Sequence, residues 1–260
     1  MLPSYADCPR RAAAKQFRKD IEAAGFELRE TQPSVGAAAG TAVHAVAASV
    51  LQAKIDTGEL GKLEPALDEA MAGFDEETGN GCEWDDTTKN RNDAQKQILR
   101  MSRAYYHGVA VNVDPLAVEF PAEATVGEGW RVTGHVDLIT RNGWVRDTKT
   151  GALVRPYHSQ LGGYSLLARS AGVLPQVAGV GIDFIKRGRL SSPQAEPEAM
   201  NYPVGVCEAA AWALISRIQQ DMVRFIETAN PWEFLANPMC MMCGPKYCPC
   251  WGTRFCELGG

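Results

Sequence analysis

The chain has 260 residues, is 45% hydrophobic and carries a net charge of −5, a length and composition that predict one sizeable globular domain. The acidic balance argues against a general nucleic-acid coat protein, although a local basic track could still bind a nucleic acid. We find no apolar run near the roughly 20 residues that a membrane-spanning helix needs. The first residues lack the apolar core of a secretory signal, so we expect a cytoplasmic protein.

Three parts of a single predicted domain follow one another along residues 1–260. Residues 1–112 are expected to be mainly helical, with helices over residues 36–54 and 86–111. Residues 113–204 are expected to form a β-sheet that a helix over residues 159–169 interrupts. Residues 205–260 are expected to form a last long helix, over residues 206–229, and a cysteine-rich tail. This pattern predicts an α/β (α+β) fold with a mixed sheet.

A predicted hairpin carries the acidic residues of greatest interest. Strands over residues 130–140 and 144–150 flank Arg141-Asn142-Gly143. If all three residues form the loop and Gly143 is left-handed, Asp137 faces Asp147, and Lys149 points to the same side. A two-residue turn would shift the register by one and send Asp147 to the other face. A functional interpretation therefore predicts the three-residue loop, and the alternative is a hairpin with exposed charges.

These three side chains suit phosphodiester hydrolysis. Two carboxylates can hold Mg²⁺ or Mn²⁺, and the ion can polarise a phosphate and lower the pKa of a bound water. Lys149 could orient that water or steady the developing negative charge. His44, on the predicted helix of small residues, is either a core histidine or a further ligand. Glu119, on the preceding strand, is either a further acid of the site or an exposed residue of an edge strand.

A helix after the second acidic strand presents two more polar side chains. Gln160 and Tyr164 are four residues apart and therefore share one helical face. Together they could hold a phosphate or a base near the metal. The alternative is a surface glutamine with a half-buried tyrosine.

The motifs Gly40-x-x-x-His44, Gly134-x-x-Asp137, Asp147-Thr148-Lys149-Thr150-Gly151 and Gln160-x-x-x-Tyr164 resemble those of the PD-(D/E)XK nuclease superfamily. The similarity is greater to its RecB/AddB-like branch, which includes iron–sulfur exonucleases associated with CRISPR systems and related phage exonucleases. The resemblance implies a restriction-endonuclease-like core, a mixed central sheet flanked by helices. It implies a metal site formed by His44, Asp137, Asp147 and the backbone carbonyl of Thr148. It also implies that Lys149 is catalytic and that Gln160 and Tyr164 contact the active site and the DNA. Glu119 is a candidate catalytic acid from its position on the strand, not from the resemblance.

Cysteines give a second indication of a metal. Five of the eight lie close to the C-terminus, at positions 240, 243, 248, 250 and 256. A cytosolic chain keeps thiols reduced, so such density favours metal binding over disulfides. Four thiolates can hold either Zn²⁺ or an iron–sulfur cluster, and spacing does not separate the two.

The segment around Cys8 resembles the N-terminal ligand segment of the same nuclease branch. That resemblance implies a [4Fe–4S] cluster held by Cys8 and three C-terminal cysteines, which would clamp the tail to the N-terminal part. The preferred set is Cys8, Cys243, Cys248 and Cys256. Cys240 and Cys250 are the alternates, and a structural zinc knuckle is the alternative to the cluster.

The sequence thus predicts a Mg²⁺- or Mn²⁺-dependent DNA exonuclease that acts on single-stranded DNA or on ends, the end preference coming from the resemblance alone. Three alternatives stay open: a nuclease subunit of a CRISPR-adaptation or phage recombination complex, a non-catalytic DNA-binding module on the same fold, and a zinc-stabilised hydrolase of another class. DNA is the expected partner, self-association is left open, and no membrane is expected. Candidate basic tracks for the DNA are Arg10, Arg11, Lys15, Arg18 and Lys19; Arg141, Arg146 and Arg155; and Lys186, Arg187 and Arg189.

Overall fold

The computed structural model of the chain describes residues 1–258 and divides it into two compact units. The terminal unit combines residues 1–32 with the chain from Ala209 onward, and the sheet unit is Pro33–Glu208. The prediction of one nuclease domain over residues 1–260, with internal boundaries at 112 and 204, stays a prediction. Its last two residues, 259 and 260, lie outside the described part.

The sheet unit contains a mixed five-stranded sheet in the order β1-β2-β3-β4-β5. Neighbouring strands are antiparallel except for β3 and β4, which are parallel and are joined through helix α7. A parallel pair needs such a crossover connection. The strands are β1 (Pro115–Gly127), β2 (Trp130–Thr140), β3 (Trp144–Gly151), β4 (Gly179–Lys186) and β5 (Glu198–Tyr202).

Helices flank the sheet, and the bounds predicted over residues 36–54, 159–169 and 206–229 agree with α4, α7 and α8 to within a few residues. One core cluster is formed mainly by α4, α5 and α6, and a second by α7 with β2, β3 and β4. The helices are α1 (Leu2–Asp7), α2 (Pro9–Gln16), α3 (Arg18–Ala23), α4 (Val35–Thr57), α5 (Leu63–Thr78), α6 (Arg91–Gly108), α7 (His158–Ser170) and α8 (Val204–Thr228).

Helix α4 corrects one expectation from the sequence. It is the one helix in the described part that is long and apolar enough to cross a membrane, by length and composition only. Its many alanines raise the mean hydropathy although no long run of large apolar residues is present. Half of the apolar window is buried inside the protein, where Val43, Val46 and Val50 join the first core cluster.

Helix α6 is shorter than the predicted helix over residues 86–111. The side chain of Asn90 accepts a hydrogen bond from Asp93 N at 2.9 Å, which caps the helix and starts it at Arg91. The residues before the cap form a separate turn, in which Asp85 Oδ1 accepts from the backbone N–H groups of Thr87 and Thr88. The helix ends at Gly108 and a short 3₁₀ turn follows.

The terminal unit has its own aromatic core. Phe26 packs edge-on against Phe255 with ring centroids 5.3 Å apart, and both approach Phe225. The Tyr5 hydroxyl donates a hydrogen bond of 2.7 Å to Asp221, which is buried. These contacts join the start of the chain to α8, so residues distant in the sequence fold together in this unit.

Candidate active site

The β2–β3 hairpin has the register that the functional interpretation required. Leu138 pairs with Arg146 and Ile139 with Val145, the register in which residue 137 faces residue 147. Gly143 is left-handed, with a φ of 83°, and its N–H donates to the Thr140 carbonyl. The three-residue loop is therefore confirmed.

Asp137 accepts hydrogen bonds from two directions. The Tyr164 hydroxyl donates to its Oδ1 at 3.0 Å, and the backbone N–H of Thr148 donates to its Oδ2 at 3.3 Å. His44 Nδ1 lies 3.0 Å from the same Oδ2. Burial by itself would raise the pKa of Asp137, but the hydrogen bond and charge of His44, with a further contribution from Lys149, hold that pKa below its usual range. Asp137 is thus an oriented, ionised carboxylate.

Asp147 differs from Asp137 both in its hydrogen bonds and in the direction of its pKa shift. Its side chain is 0% exposed, and neither carboxylate oxygen has a hydrogen-bond partner of acceptable geometry. Lys149 Nζ lies 2.7 Å from Oδ2 and partly offsets the charge. Burial and the nearby charge of Asp137 raise the pKa of Asp147 well above its ordinary value. A buried carboxylate without hydrogen bonds is costly, so Asp147 calls for a positive partner in addition to Lys149.

A divalent cation fits that requirement. One ligand atom each from His44, Asp137 and Asp147 lie within 4.8 Å of one another, the one such group of three or more among residues 1–258. Imidazole with two carboxylates is a donor set that suits Mn²⁺ and other divalent ions. Thr148, buried between the two acids, donates its N–H to Asp137; its carbonyl as a further ligand stays a prediction.

Close backbone packing brings His44 to the strands. A Cβ added at Gly40 would lie 2.9 Å from Thr150 Oγ1, so α4 approaches β3 more closely there than alanine would allow. His44 follows one helical turn later on the same face. The spacing of Gly40 and His44 in the sequence is thereby explained.

Helix α7 contributes the predicted pair Gln160 and Tyr164. Gln160 Nε2 donates to the Tyr164 hydroxyl at 3.0 Å, and that hydroxyl donates to Asp137. Burial, followed by the charges of Asp137 and Asp147, raises the pKa of Tyr164, so the phenol stays protonated and keeps its donor. Both side chains reach the site, where they fix the orientation of Asp137.

Glu119 lies beside this group but is not a member of the three-ligand set. Its neighbours on β1 pair as Val118 with Leu138 and Phe120 with Val136, which places Glu119 opposite Asp137. Burial and the charge of Asp137 raise the pKa of Glu119. Its φ of 43° is left-handed, rare for a residue with a side chain. Such strain is common at functional sites.

The expected alternation along β1 is wrong at this point. Strict alternation would place Val118 and Phe120 on one face and Glu119 on the other, but Val118 packs against the first core cluster and Phe120 against the second. The left-handed backbone at Glu119 interrupts the regular pleat, so the side chains on either side no longer alternate as in an ideal strand.

Tyr157 belongs to the site but was not predicted from the sequence. Tyr157, immediately before α7, presents its ring 5.2 Å from Lys149 Nζ, a cation–π distance. A tyrosine at the end of an irregular loop carries no periodicity or motif, so only the fold could place it against Lys149.

Several predicted basic residues are not available as a surface track. Arg10 and Arg11 are 1% and 7% exposed. Arg146 is bound to Asp183 at 2.6 Å, and Arg187 to Asp85 at 2.6 Å. These side chains lie inside the protein, where each donates to a carboxylate or a backbone carbonyl, so the prediction of a surface track is wrong for them.

The terminal unit gathers the cysteines. Six of them line one small cavity together with Arg10, Arg11 and residues 236–238: Cys8, Cys240, Cys243, Cys248, Cys250 and Cys256. Two of the six donate hydrogen bonds, Cys240 Sγ to Asp7 at 2.9 Å and Cys250 Sγ to the Arg10 carbonyl at 3.8 Å. Cys207 is buried in the sheet unit, and Cys82 packs against the first core cluster.

Comparison with known proteins agrees with this geometry. A family model of the PD-(D/E)XK nuclease superfamily matches residues 2–253. Among solved structures, a candidate exonuclease from Eubacterium rectale is 12% identical with a TM-score of 0.44, covering 76% of this chain and 73% of that one. A second structure, SSO0001, is 14% identical with a TM-score of 0.31, covering 88% and 94%. Both scores are too low to carry an argument, and no curated protein matches the sequence. On the family model, which spans nearly the whole chain, this protein belongs to the PD-(D/E)XK nuclease superfamily.

Proposed function

We propose that this protein is a divalent-metal-dependent deoxyribonuclease in which His44, Asp137 and Asp147 hold the cation. The observation that carries the proposal is Asp147, a wholly buried carboxylate whose two oxygens lack hydrogen-bond partners beside two further ligands. A folded protein tolerates such a group where a cation satisfies it. Membership of a nuclease superfamily makes DNA the expected substrate.

The cation, when bound, supplies positive charge to the scissile phosphate and lowers the pKa of water. The protein's own side chains supply a hydrogen-bond donor for the reacting groups and hold the ligands in position. Lys149 Nζ, held between Asp147 at 2.7 Å and the ring of Tyr157, can donate to the attacking water or to the phosphate oxygens. Tyr164 and Gln160 keep one oxygen of Asp137 in place, and Glu119 adds an acidic group at the edge of the site.

We propose further that cleavage starts at DNA ends, with single-stranded DNA as the preferred form. The resemblance of the four motifs to the RecB/AddB-like exonucleases supports this preference. The test uses end-labelled linear single-stranded DNA beside a circular single strand of equal length, with Mn²⁺ or Mg²⁺. We expect shortening of the linear strand only.

A matched pair of lysine variants separates chemistry from binding. Lys149→Ala should abolish cleavage, whereas Lys96→Ala, which removes an exposed lysine of α6, should not. Cleavage of the circle would contradict the exonuclease proposal. The absence of cleavage by iron-loaded wild-type protein with either ion would contradict the stand-alone enzyme and leave a partner-activated subunit or a binding module.

The [4Fe–4S] cluster is part of the same proposal, with Cys8, Cys243, Cys248 and Cys256 as ligands. All four line the cysteine cavity, whereas the two alternates already donate hydrogen bonds to protein groups.

A further inference from the structure

A pocket of about 250 Å³ in the terminal unit has no part in the chemistry described above. Arg10, Trp232, Arg254 and Glu257 are among the residues that line it. Its walls therefore combine two guanidinium groups, one indole and one carboxylate.

Arg10 gives the pocket an unneutralised positive charge. The side chain is 1% exposed, its Nε donates to the Phe234 carbonyl at 3.1 Å, and its Nη2 has no hydrogen-bond partner. No carboxylate in residues 1–258 forms an ion pair with it. A buried cation without a counter-charge is costly. Arg10 lines both this pocket and the cysteine cavity, so its charge attracts anions to either space.

Trp232 covers this guanidinium and presents its other side to solvent. The Arg10 guanidinium carbon lies 4.3 Å from the centre of the indole ring, and Trp232 is 55% exposed. The Asn230 side chain accepts from Trp232 N at 3.0 Å, which fixes the turn that carries the indole. An exposed, rigidly held aromatic ring next to positive charge is the arrangement on which unpaired bases stack.

The charges at the rim fit one phosphate beside one base. Arg254 is exposed and lines the same pocket. Glu257 offsets one of the two positive charges, so the pocket keeps a single net positive charge. A phosphodiester group carries one negative charge, and backbone contacts to Arg or Lys supply most of the affinity for single strands.

We infer that this pocket binds one unpaired nucleotide of single-stranded DNA, with its base on Trp232 and its phosphate attracted by Arg254 and Arg10. The inference rests on the proposed function, because it takes DNA as the ligand. It adds a DNA contact outside the sheet unit.

The test is binding of fluorescent oligo(dT) to the full-length Lys149→Ala protein without divalent metal, followed by anisotropy. Adding Trp232→Ala should weaken binding about tenfold, the loss expected for one stacked base. Trp212→Ala removes another exposed tryptophan of the same unit, 41% exposed, and should leave binding unchanged.

Two further variants address charge. Arg254→Ala should reduce the slope of log K against log salt by about 0.7, the contribution of one phosphate contact on a single strand. Arg224→Ala, at an exposed position of α8, should not. Glu257→Gln should tighten binding, a gain that misfolding cannot produce.

Binding by the Trp232→Ala protein within twofold of its parent, or equal binding of blunt duplex and single strand, would overturn the inference. Cleavage by the Lys149-containing protein would still support the proposed nuclease in that case. Conversely, binding that depends on Trp232 but no cleavage with any ion would support the nucleotide pocket and contradict the proposed nuclease.

Discussion

The carboxylate site of the sheet unit and the cysteine cavity of the terminal unit are the two places where we propose a bound metal, and they differ in how the chain presents the proposed ligands. The first takes its ligands from α4, β2 and β3, elements held by backbone hydrogen bonds and two apolar clusters. The second takes its ligands from the start of α2 and from a tail of turns over residues 237–258. One site is preformed by the fold, and the other consists of ligands on segments with little regular structure.

That difference predicts different roles for the bound groups. Removal of a cation from the carboxylate site should cost activity and leave the sheet unit folded, since its ligands are already in place. Loss of a metal group from the cysteine cavity should instead lower stability, because the free energy of metal binding there would contribute to the folding of the tail.

The largest expected effect is on cleavage by the Asp147→Asn protein. We expect at least a 10³-fold loss of rate, on the scale of losing a preorganised charge at a reaction centre. The free energy of unfolding in EDTA should change little, because the substitution removes the repulsion between two buried carboxylates together with the ion pair to Lys149. Urea unfolding and single-turnover cleavage measure the two effects.

Asp183→Asn is the matched control for that prediction. Asp183 is also buried, but it accepts two hydrogen bonds from Arg146, at 2.6 Å and 2.9 Å. Breaking this pair should destabilise the protein by about 3 kcal/mol. If Asp147→Asn destabilised the protein as much as Asp183→Asn does, Asp147 would be a structural residue and the comparison between the sites would fail.

The cysteines give the next largest effect. Cys243→Ser should remove most of the iron, from about four atoms per chain, and lower the midpoint of thermal unfolding of the terminal unit. Cys240→Ser should keep the iron, since the Cys240 thiol donates to Asp7. Iron analysis and the absorbance of the purified proteins check both variants. Equal losses in the two would exclude the preferred ligand set, and zinc in place of iron would exclude the cluster.

Tyr164→Phe should have an intermediate effect. It removes the hydroxyl that donates to Asp137 at 3.0 Å and leaves the ring in place. Loss of such an orienting hydrogen bond typically costs 10- to 100-fold in metal affinity or activity. The Mn²⁺ concentration that gives half-maximal cleavage should rise by about that factor. Tyr106→Phe, on α6, serves as the control and should leave it unchanged.

The smallest effect is expected at Tyr157. Tyr157→Leu removes the ring beside Lys149 and should slow cleavage a few-fold, in line with a cation–π contribution of about 0.5–1 kcal/mol. Tyr157→Phe keeps the ring and should cleave at nearly the wild-type rate. Equal losses in both variants would point to the hydroxyl as the contributing group.

The sequence prediction of the β2–β3 hairpin used local rules of loop geometry and strand periodicity. A three-residue loop with a left-handed Gly143 and the two-residue period of a strand place Asp137, Asp147 and Lys149 together. The functional interpretation was needed to choose this loop over a two-residue Asn142-Gly143 turn. The start of α6 was also within reach, because Asn90 followed three residues later by Asp93 is a capping pattern. The predicted helix nevertheless began at residue 86, before this cap, whereas the observed helix begins at Arg91.

Other features depend on contacts that no local pattern records. The left-handed backbone of Glu119 and the position of Tyr157 against Lys149 arise from packing in the finished sheet unit. The burial of Arg11 and Arg187 turned predicted DNA contacts into internal ones. The division into two units likewise follows from long-range contacts between the two ends of the chain.

Titration of the protein with Mn²⁺, followed by the electron paramagnetic resonance signal of the free ion, tests the central claim most directly. Wild-type protein should bind an ion that the Asp147→Asn and His44→Ala proteins bind at least tenfold more weakly. The Cys243→Ser protein should retain that ion, since its change lies in the terminal unit. Undiminished Mn²⁺ binding by the Asp147→Asn protein would contradict the account, because the unsatisfied carboxylate would then have no part in holding the metal.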